Sequence, residues 1–349
     1  MKMDKILYAM LIVFVPILHG CGDTKTGSAP AASNTPGQSA TEQRVAAENS
    51  KKIEELNHDY PRIPDDKILD NGEANNPIYT ELKKRYKDEL IKLKDDVEST
   101  GAKFVVVIMA PEVGKGASGA NRYGIPYIKS CCSQLGIECI DLTPILLQHD
   151  AKEITQVPRD GHWSKKGAIL VADHLAPVIA KYAAVKSTVV YKDADRPEVF
   201  GDLPSNDDEI MDGEKDMPYH VKANTQGIRM AYDIKFPKKK QRVLLLGDSE
   251  MFCPFLDNEF TIGDVLQQKF PNSEIMNTGI ISYTVDDYLT LWEHNAKYSE
   301  PDLVIMGANG ADITDLFFTN RNHFSRTHAP YLPSPVEEKY YKSIYPSMQ

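Results

Sequence analysis

Apolar residues along this chain fall into two patterns. The first is the short, aliphatic-rich run: Phe104-Val105-Val106-Val107-Ile108-Met109, Ile137-Glu138-Cys139-Ile140-Asp141-Leu142, Arg242-Val243-Leu244-Leu245-Leu246, Glu274-Ile275-Met276-Asn277 and Leu303-Val304-Ile305-Met306. Runs of this length, rich in aliphatic residues and bounded by turn residues, predict strands buried on both faces. The second pattern is the amphipathic stripe. Residues 78–98 set charged positions against apolar ones, and Ala168, Val171, Ala172, Leu175, Val178 and Ile179 give one buried face to a helix that Ser164 can cap. Buried strands joined by amphipathic helices predict an α/β domain, with a central, mostly parallel sheet of five strands between two layers of helices.

Open parallel sheets bind ligands beyond the carboxyl ends of their strands. The run 242–246 ends in Gly247-Asp248-Ser249, which puts Ser249 at such an end. A serine hydroxyl attacks a carbonyl at neutral pH only if a base takes its proton, and an imidazole serves best when a carboxylate fixes its tautomer. Asp160-Gly161-His162-Trp163, read as another strand end, offers that pair. Residues two apart in extended backbone point to the same side, so Asp160 is expected to meet the His162 nitrogen that faces away from the serine. Two further runs end in Gly279 and Asn309. The N–H of Ser249, the N–H of Gly279 and the side-chain amide of Asn309 are expected to form a three-donor oxyanion hole. These residues predict acyl transfer through Ser249, with His162 as base and Asp160 orienting it.

Gly247-Asp248-Ser249, Gly279, Gly307-Ala308-Asn309 and the Asp/His block together resemble the motif blocks of the SGNH (GDSL) hydrolase superfamily, over most of residues 76–320. In ordinary members the Asp/His block closes the domain. Here it precedes the serine, with Trp163 after the histidine, an order similar to that of the alginate O-acetylation proteins AlgJ and AlgX. The resemblance implies a circularly permuted SGNH domain, a flavodoxin-like three-layer α/β/α sandwich whose strands run along the chain as fourth, fifth, first, second and third. Tandem incomplete domains, or strands exchanged between chains, would show the same order. Two positions depart from the pattern: Gly310 stands where a second acidic residue is common, and Glu250 follows the serine where an apolar residue is frequent. A carboxylate beside the nucleophile would repel an anionic substrate. No carbohydrate-binding module is evident after residue 320, which brings the likeness nearer to AlgJ than to AlgX.

The resemblance implies a polysaccharide acceptor and a membrane-bound O-acyltransferase as acyl donor partner, with no cofactor. If water replaces the sugar hydroxyl, the same site is an esterase or glycan deacetylase. A lipoprotein that binds glycan or scaffolds an export complex without catalysis is the third reading.

Lys2 and Lys5 precede an apolar stretch over residues 6–18, too short to span a bilayer comfortably and suited to a secretory signal peptide. Leu18-His19-Gly20-Cys21 resembles a bacterial lipobox. Residues 1–20 are therefore expected to be removed and Cys21 diacylated, anchoring the protein in a bacterial cell envelope, facing the periplasm or the exterior. Residues 21–60 begin rich in Gly, Ser, Ala, Thr and Pro and are read as a flexible tether. Residues 61–349 are read as the permuted domain: an Asp/His half over 61–185, a connection over 186–240 and a Ser/Gly/Asn half over 241–349.

A formal charge of −10 argues against nucleic acid as a partner. The one sharp basic run, Lys238-Lys239-Lys240, is read as solvating the entry to the Ser249 strand. Of five cysteines, Cys21 serves the anchor. A disulfide from Cys139 to Cys131 or to Cys132 is open outside the cytoplasm, and no second pair of ligands at finger-like spacing supports a metal site. Cys253 is read as a small buried hydrophobe. Within the connection, Asn224-Thr225-Gln226-Gly227-Ile228-Arg229 either brings Arg229 to the site or forms an edge strand. Residues 321–326 either line a glycan cleft or dock as a surface loop. His174 is expected on the surface of its helix, and His58, His149, His220 and His294 have no spacing that names a partner.

Overall fold

Alternation along the buried runs decides which side chain meets which helix layer. The computed structural model describes residues 63, 65–69, 76–110, 119–211, 216–318 and 333–345. Its strands are β1 (Lys103–Ile108), β2 (Glu138–Asp141), β3 (Asp208–Met211), β4 (Tyr219–Lys222), β5 (Gln241–Leu246), β6 (Ser273–Asn277) and β7 (Leu303–Ala308). Five of them form one sheet in the order β2-β1-β7-β5-β6, every pair parallel, while β3 and β4 make a separate antiparallel hairpin. The principal helices are α1 (Pro77–Ser99), α2 (Gly119–Leu135), α3 (Lys165–Lys181), α4 (Ser249–Phe252), α5 (Ile262–Lys269), α6 (Val285–His294) and α7 (Pro335–Ile344).

Successive strand residues point to opposite faces. Phe104, Val106, Ile108, Leu244, Leu246, Val304 and Met306 share one core with apolar residues of α1, α2 and α6. Their neighbours Val105, Val107, Val243, Leu245, Leu303 and Ile305 share the other with α3 and α5. Both faces of the sheet are covered, as the aliphatic-rich runs require, and the fold is the expected three-layer α/β/α arrangement.

Counted from β5, the sheet order is second, first, third, fourth, fifth, the doubly wound order. The two halves of the chain join where β1 lies beside β7, from Lys103 opposite Leu303 to Ile108 opposite Ala308. One chain thus completes one sheet, which needs neither tandem domains nor strands exchanged between chains.

Capping fixes the helix starts. Asn76 accepts the Ile78 N–H at 3.0 Å ahead of Pro77. Ser164 accepts the Gly167 N–H at 3.2 Å, so α3 begins where its cap was expected, and the six apolar residues assigned to its inner face are all buried. The amino end of the sheet is closed by ionic groups. Arg242, fully buried, donates to Glu274 at 2.6 Å and to the carbonyls of Ser299 and Lys235. Lys238 donates to Asp302 and to the Glu300 carbonyl, both at 2.8 Å. The basic run is thus corrected in part: Lys238 is a structural staple, and only Lys239 and Lys240 are exposed.

Cys131, Cys132 and Cys139 are free thiols, so neither disulfide is formed. Cys131 and Cys132 are packed in the core as small apolar groups. The signal peptide over 1–20, Cys21, the tether over 21–60, His58 and residues 321–326 lie outside the described residues. No described helix is long and apolar enough to cross a membrane.

Candidate active site

The carboxyl end of β5 makes the first half of the site. Gly247 follows the strand where an added Cβ would stand 2.6 Å from Met251 Cβ, so the turn into α4 is too tight for a side chain. Asp248 caps α4, its Oδ1 accepting the Glu250 N–H at 2.9 Å. Its Oδ2 accepts from the side-chain amide of Asn309 at 2.7 Å. Asp248, given no role of its own on sequence grounds, therefore ties the turn carrying Ser249 to the end of β7.

Asp160 and His162 reach Ser249 from a loop, not from the end of a strand. The loop runs from a short helix (Ala151–Ile154) to α3 and is closed by an antiparallel bridge between Thr155 and Trp163. The expected extended geometry is also replaced. Asp160 Oδ1 accepts the His162 backbone N–H at 2.7 Å and the ring Nδ1–H at 2.5 Å, an Asx turn in which one oxygen holds both groups. That bond keeps the ring proton on Nδ1 and leaves Nε2 to accept from the Ser249 hydroxyl, 2.8 Å away. Asp160 is buried, and the His162 side chain is 17% exposed.

Two of the three groups expected as oxyanion donors have an N–H engaged within the protein. The Gly279 N–H donates to Asn277 Oδ1 at 3.0 Å, because the asparagine two residues earlier folds back onto it. Asn309 gives one amide hydrogen to Asp248. Of the three expected donor groups, this leaves the Ser249 N–H, which as the first of a helix has no intrahelical acceptor, and the second hydrogen of the Asn309 amide. Buried Asp312 accepts the Asn309 N–H at 3.2 Å, and burial holds its carboxyl well above the usual range. Burial also raises Asp248, opposed by the Glu250 N–H, His162 and Asn309. Glu250 Oε1 lies 4.0 Å from His162 Nε2, so a second carboxylate faces the serine side of the ring.

A single-turn helix leaves most of its carbonyls without intrahelical donors; in α4 the Ser249 carbonyl accepts the Cys253 N–H at 2.9 Å, and the later ones have none. Side chains from other segments supply them. Trp163 Nε1 donates to Glu250 O at 3.0 Å and Asn277 Nδ2 to Met251 O at 3.0 Å. Arg229 Nη1 donates to Phe252 O at 2.5 Å and Cys253 O at 3.2 Å, and its Nη2 to Leu256 O at 2.6 Å. Gln156 Nε2 donates to Pro254 O at 3.3 Å. Arg229 is 1% exposed, and its backbone N–H donates to Asn277 O at the end of β6. It belongs to the site's scaffold and not to an edge strand.

Cys253, fully buried with φ 61°, has its thiol pushed up to about 12 by burial, in keeping with an inert apolar filler. Phe255 also has positive φ, 62°, and its ring centroid lies 6.3 Å from that of His162. His174 bonds its own helix at Leu170 O, 2.8 Å away, and is half-buried. His220 pairs with Asp208 across the β3–β4 hairpin.

No family model matches this chain, and no curated protein matches it. Among solved structures it is similar to the O-acetyltransferase domain of Pseudomonas putida AlgJ, at 14% identity and a TM-score of 0.42, over 76% of this chain and 91% of that one.

Proposed function

We propose that this chain is a serine acyltransferase of the cell envelope that O-acetylates an extracytoplasmic polysaccharide through an acyl-Ser249 intermediate. The observation that carries the reading is the unbroken hydrogen-bond chain from Asp160 Oδ1 through His162 to Ser249 Oγ, at 2.5 and 2.8 Å. In the first half-reaction His162 Nε2 takes the Ser249 proton as Oγ bonds to the acyl carbon. The donor's oxygen then leaves with that proton. In the second, Nε2 takes the proton of a sugar hydroxyl, whose oxygen bonds to the acyl carbon as Oγ departs and recovers a proton. Asp160 stabilises the imidazolium in both halves. The Ser249 N–H and the Asn309 amide stabilise the oxyanion, and Gly279 joins them only if its N–H leaves Asn277.

The order of the motif blocks supports a permuted SGNH domain, a polysaccharide acceptor and a membrane-bound O-acyltransferase as donor. Cys21 is the proposed lipid anchor. The test is acetyl transfer from an activated ester to unacetylated polysaccharide fragments by the full chain. The wild type is expected to acetylate them, and Ser249→Ala to lose about 10³-fold or more. Acetate release that ignores the fragments would identify an esterase. Folded protein without Ser249-dependent turnover would leave a glycan-binding or scaffold role.

A further inference from the structure

We propose that Phe255 decides the fate of the acyl-enzyme: its ring shields the His162–Ser249 pair from water, so that acyl-Ser249 passes to a hydroxyl acceptor before it is hydrolysed. The inference rests on the acyl-Ser249 reading above.

A bulky residue with φ 62° is a true outlier, costing on the order of 1–3 kcal/mol, and persists only where its surroundings over-determine it. Here they do. Arg229 holds the carbonyls of Cys253 and Leu256, and Gln156 holds that of Pro254, so the backbone on both sides of Phe255 is fixed from outside. Gln156 belongs to the same loop as His162: its backbone N–H donates to His162 O at 3.0 Å. The position of Phe255 is thus referenced directly to the base.

Phe255 belongs to neither principal core. It packs against a small third cluster of Phe252, Tyr219 and Val221, as Leu203, Met211 and Ile281 also do. Phe252 closes α4, and Ile281 follows Gly279 by two residues, so this cluster sits on the reacting side of the sheet. Within it the Phe255 ring is tilted 54° to the imidazole and stands edge-on to Tyr219, centroids 5.5 Å apart. What the left-handed backbone achieves is to turn an apolar ring toward the base. Hydrolysis needs a water close to His162 Nε2, and a phenyl ring offers that water no hydrogen bond. An acceptor that carries its own binding contacts does not depend on one.

The experiment measures two rate constants in the full chain, acetylation of Ser249 by 4-nitrophenyl acetate and loss of the acetyl group to water, by rapid-quench mass spectrometry. Phe255→Ala and Phe255→Gly remove the ring, and glycine keeps φ > 0 without strain, so at least one variant preserves the turn. Phe255→Leu keeps apolar bulk. Both truncations are expected to raise the ratio of deacylation to acylation at least about tenfold, with Phe255→Leu close to wild type. A purely structural defect would slow both steps together, leave the ratio unchanged and overturn the proposal, as would unchanged rates. If the wild type itself forms no acetyl-Ser249, the acyl-enzyme reading falls first and this inference with it.

Discussion

The indole N–H of Trp163 donates to the carbonyl of Glu250 at 3.0 Å, so the residue after His162 is bonded to the residue after Ser249. Trp163 is fully buried, and this bond spans the two loops whose side chains meet at 2.8 Å. Trp163→Phe keeps the apolar bulk and removes the donor. The Glu250 carbonyl then keeps only the weak Cys253 thiol donor at 3.5 Å, and the loss is expected to cost about 1–3 kcal/mol in urea unfolding. Loss of register between the loops is expected to slow Ser249 acylation by on the order of 10²-fold.

Gly167 tests the same register from behind. A Cβ there would stand 1.9 Å from Ile154 O and 3.0 Å from Trp163 Cε3, so α3 backs directly onto the loop that carries His162. Gly167→Ala is expected to destabilise by about 1–3 kcal/mol and to slow acylation. Gly136→Ala is the control. It has φ 65° but open space around it, so it should cost about 1 kcal/mol and leave acylation unchanged.

Stability should carry the mark of Asp287, which accepts the Thr284 N–H in the cap of α6 and whose carboxyl burial pushes up to about 8. In the unfolded chain the same group ionises near about 3.9. Between these values the folded state holds a proton that the unfolded state has lost, so stability falls as pH rises from about 4 to about 8 and levels above. Asp287→Asn removes this contribution. Urea midpoints across that window should show a shallower fall with pH, by at most about 1.4 kcal/mol per pH unit.

Glu250 bears on the choice of acyl group. With its Oε1 4.0 Å from His162 Nε2, it sets an acidic side chain beside the base. Glu250→Gln is expected to raise the rate with a succinyl ester relative to an acetyl ester about fivefold, on the order of 1 kcal/mol. An unchanged ratio would show that the carboxylate faces no part of the acyl group.

β1, β5, β6 and β7 were legible because nearly all their residues are buried, which forces apolar runs; the partly exposed β3–β4 hairpin carries no such signal. α3 was legible because a serine cap and a six-residue stripe agree. The structure brings Asp160, His162 and Ser249 together as expected, but their local geometry was not legible. A carboxylate two residues ahead of a backbone N–H can capture it, as Asp160 does, and Asn277 captures the Gly279 N–H in the same way. The role of Arg229 has no signature in the sequence, because its acceptors are mostly backbone carbonyls, which every residue carries. Asp312 was missed because its contact depends on the turn after Asn309 and not on adjacency in the motif.

The most direct measurement is intact-mass spectrometry with peptide mapping of the full chain after brief exposure to an activated acetyl ester, beside Ser249→Ala and Asp160→Asn. The proposed chemistry requires one acetyl group on the peptide containing Ser249, absent from Ser249→Ala, and acylation about 10²- to 10⁴-fold slower in Asp160→Asn. Acetylation of equal extent in Ser249→Ala, or none in the folded wild type, would contradict it.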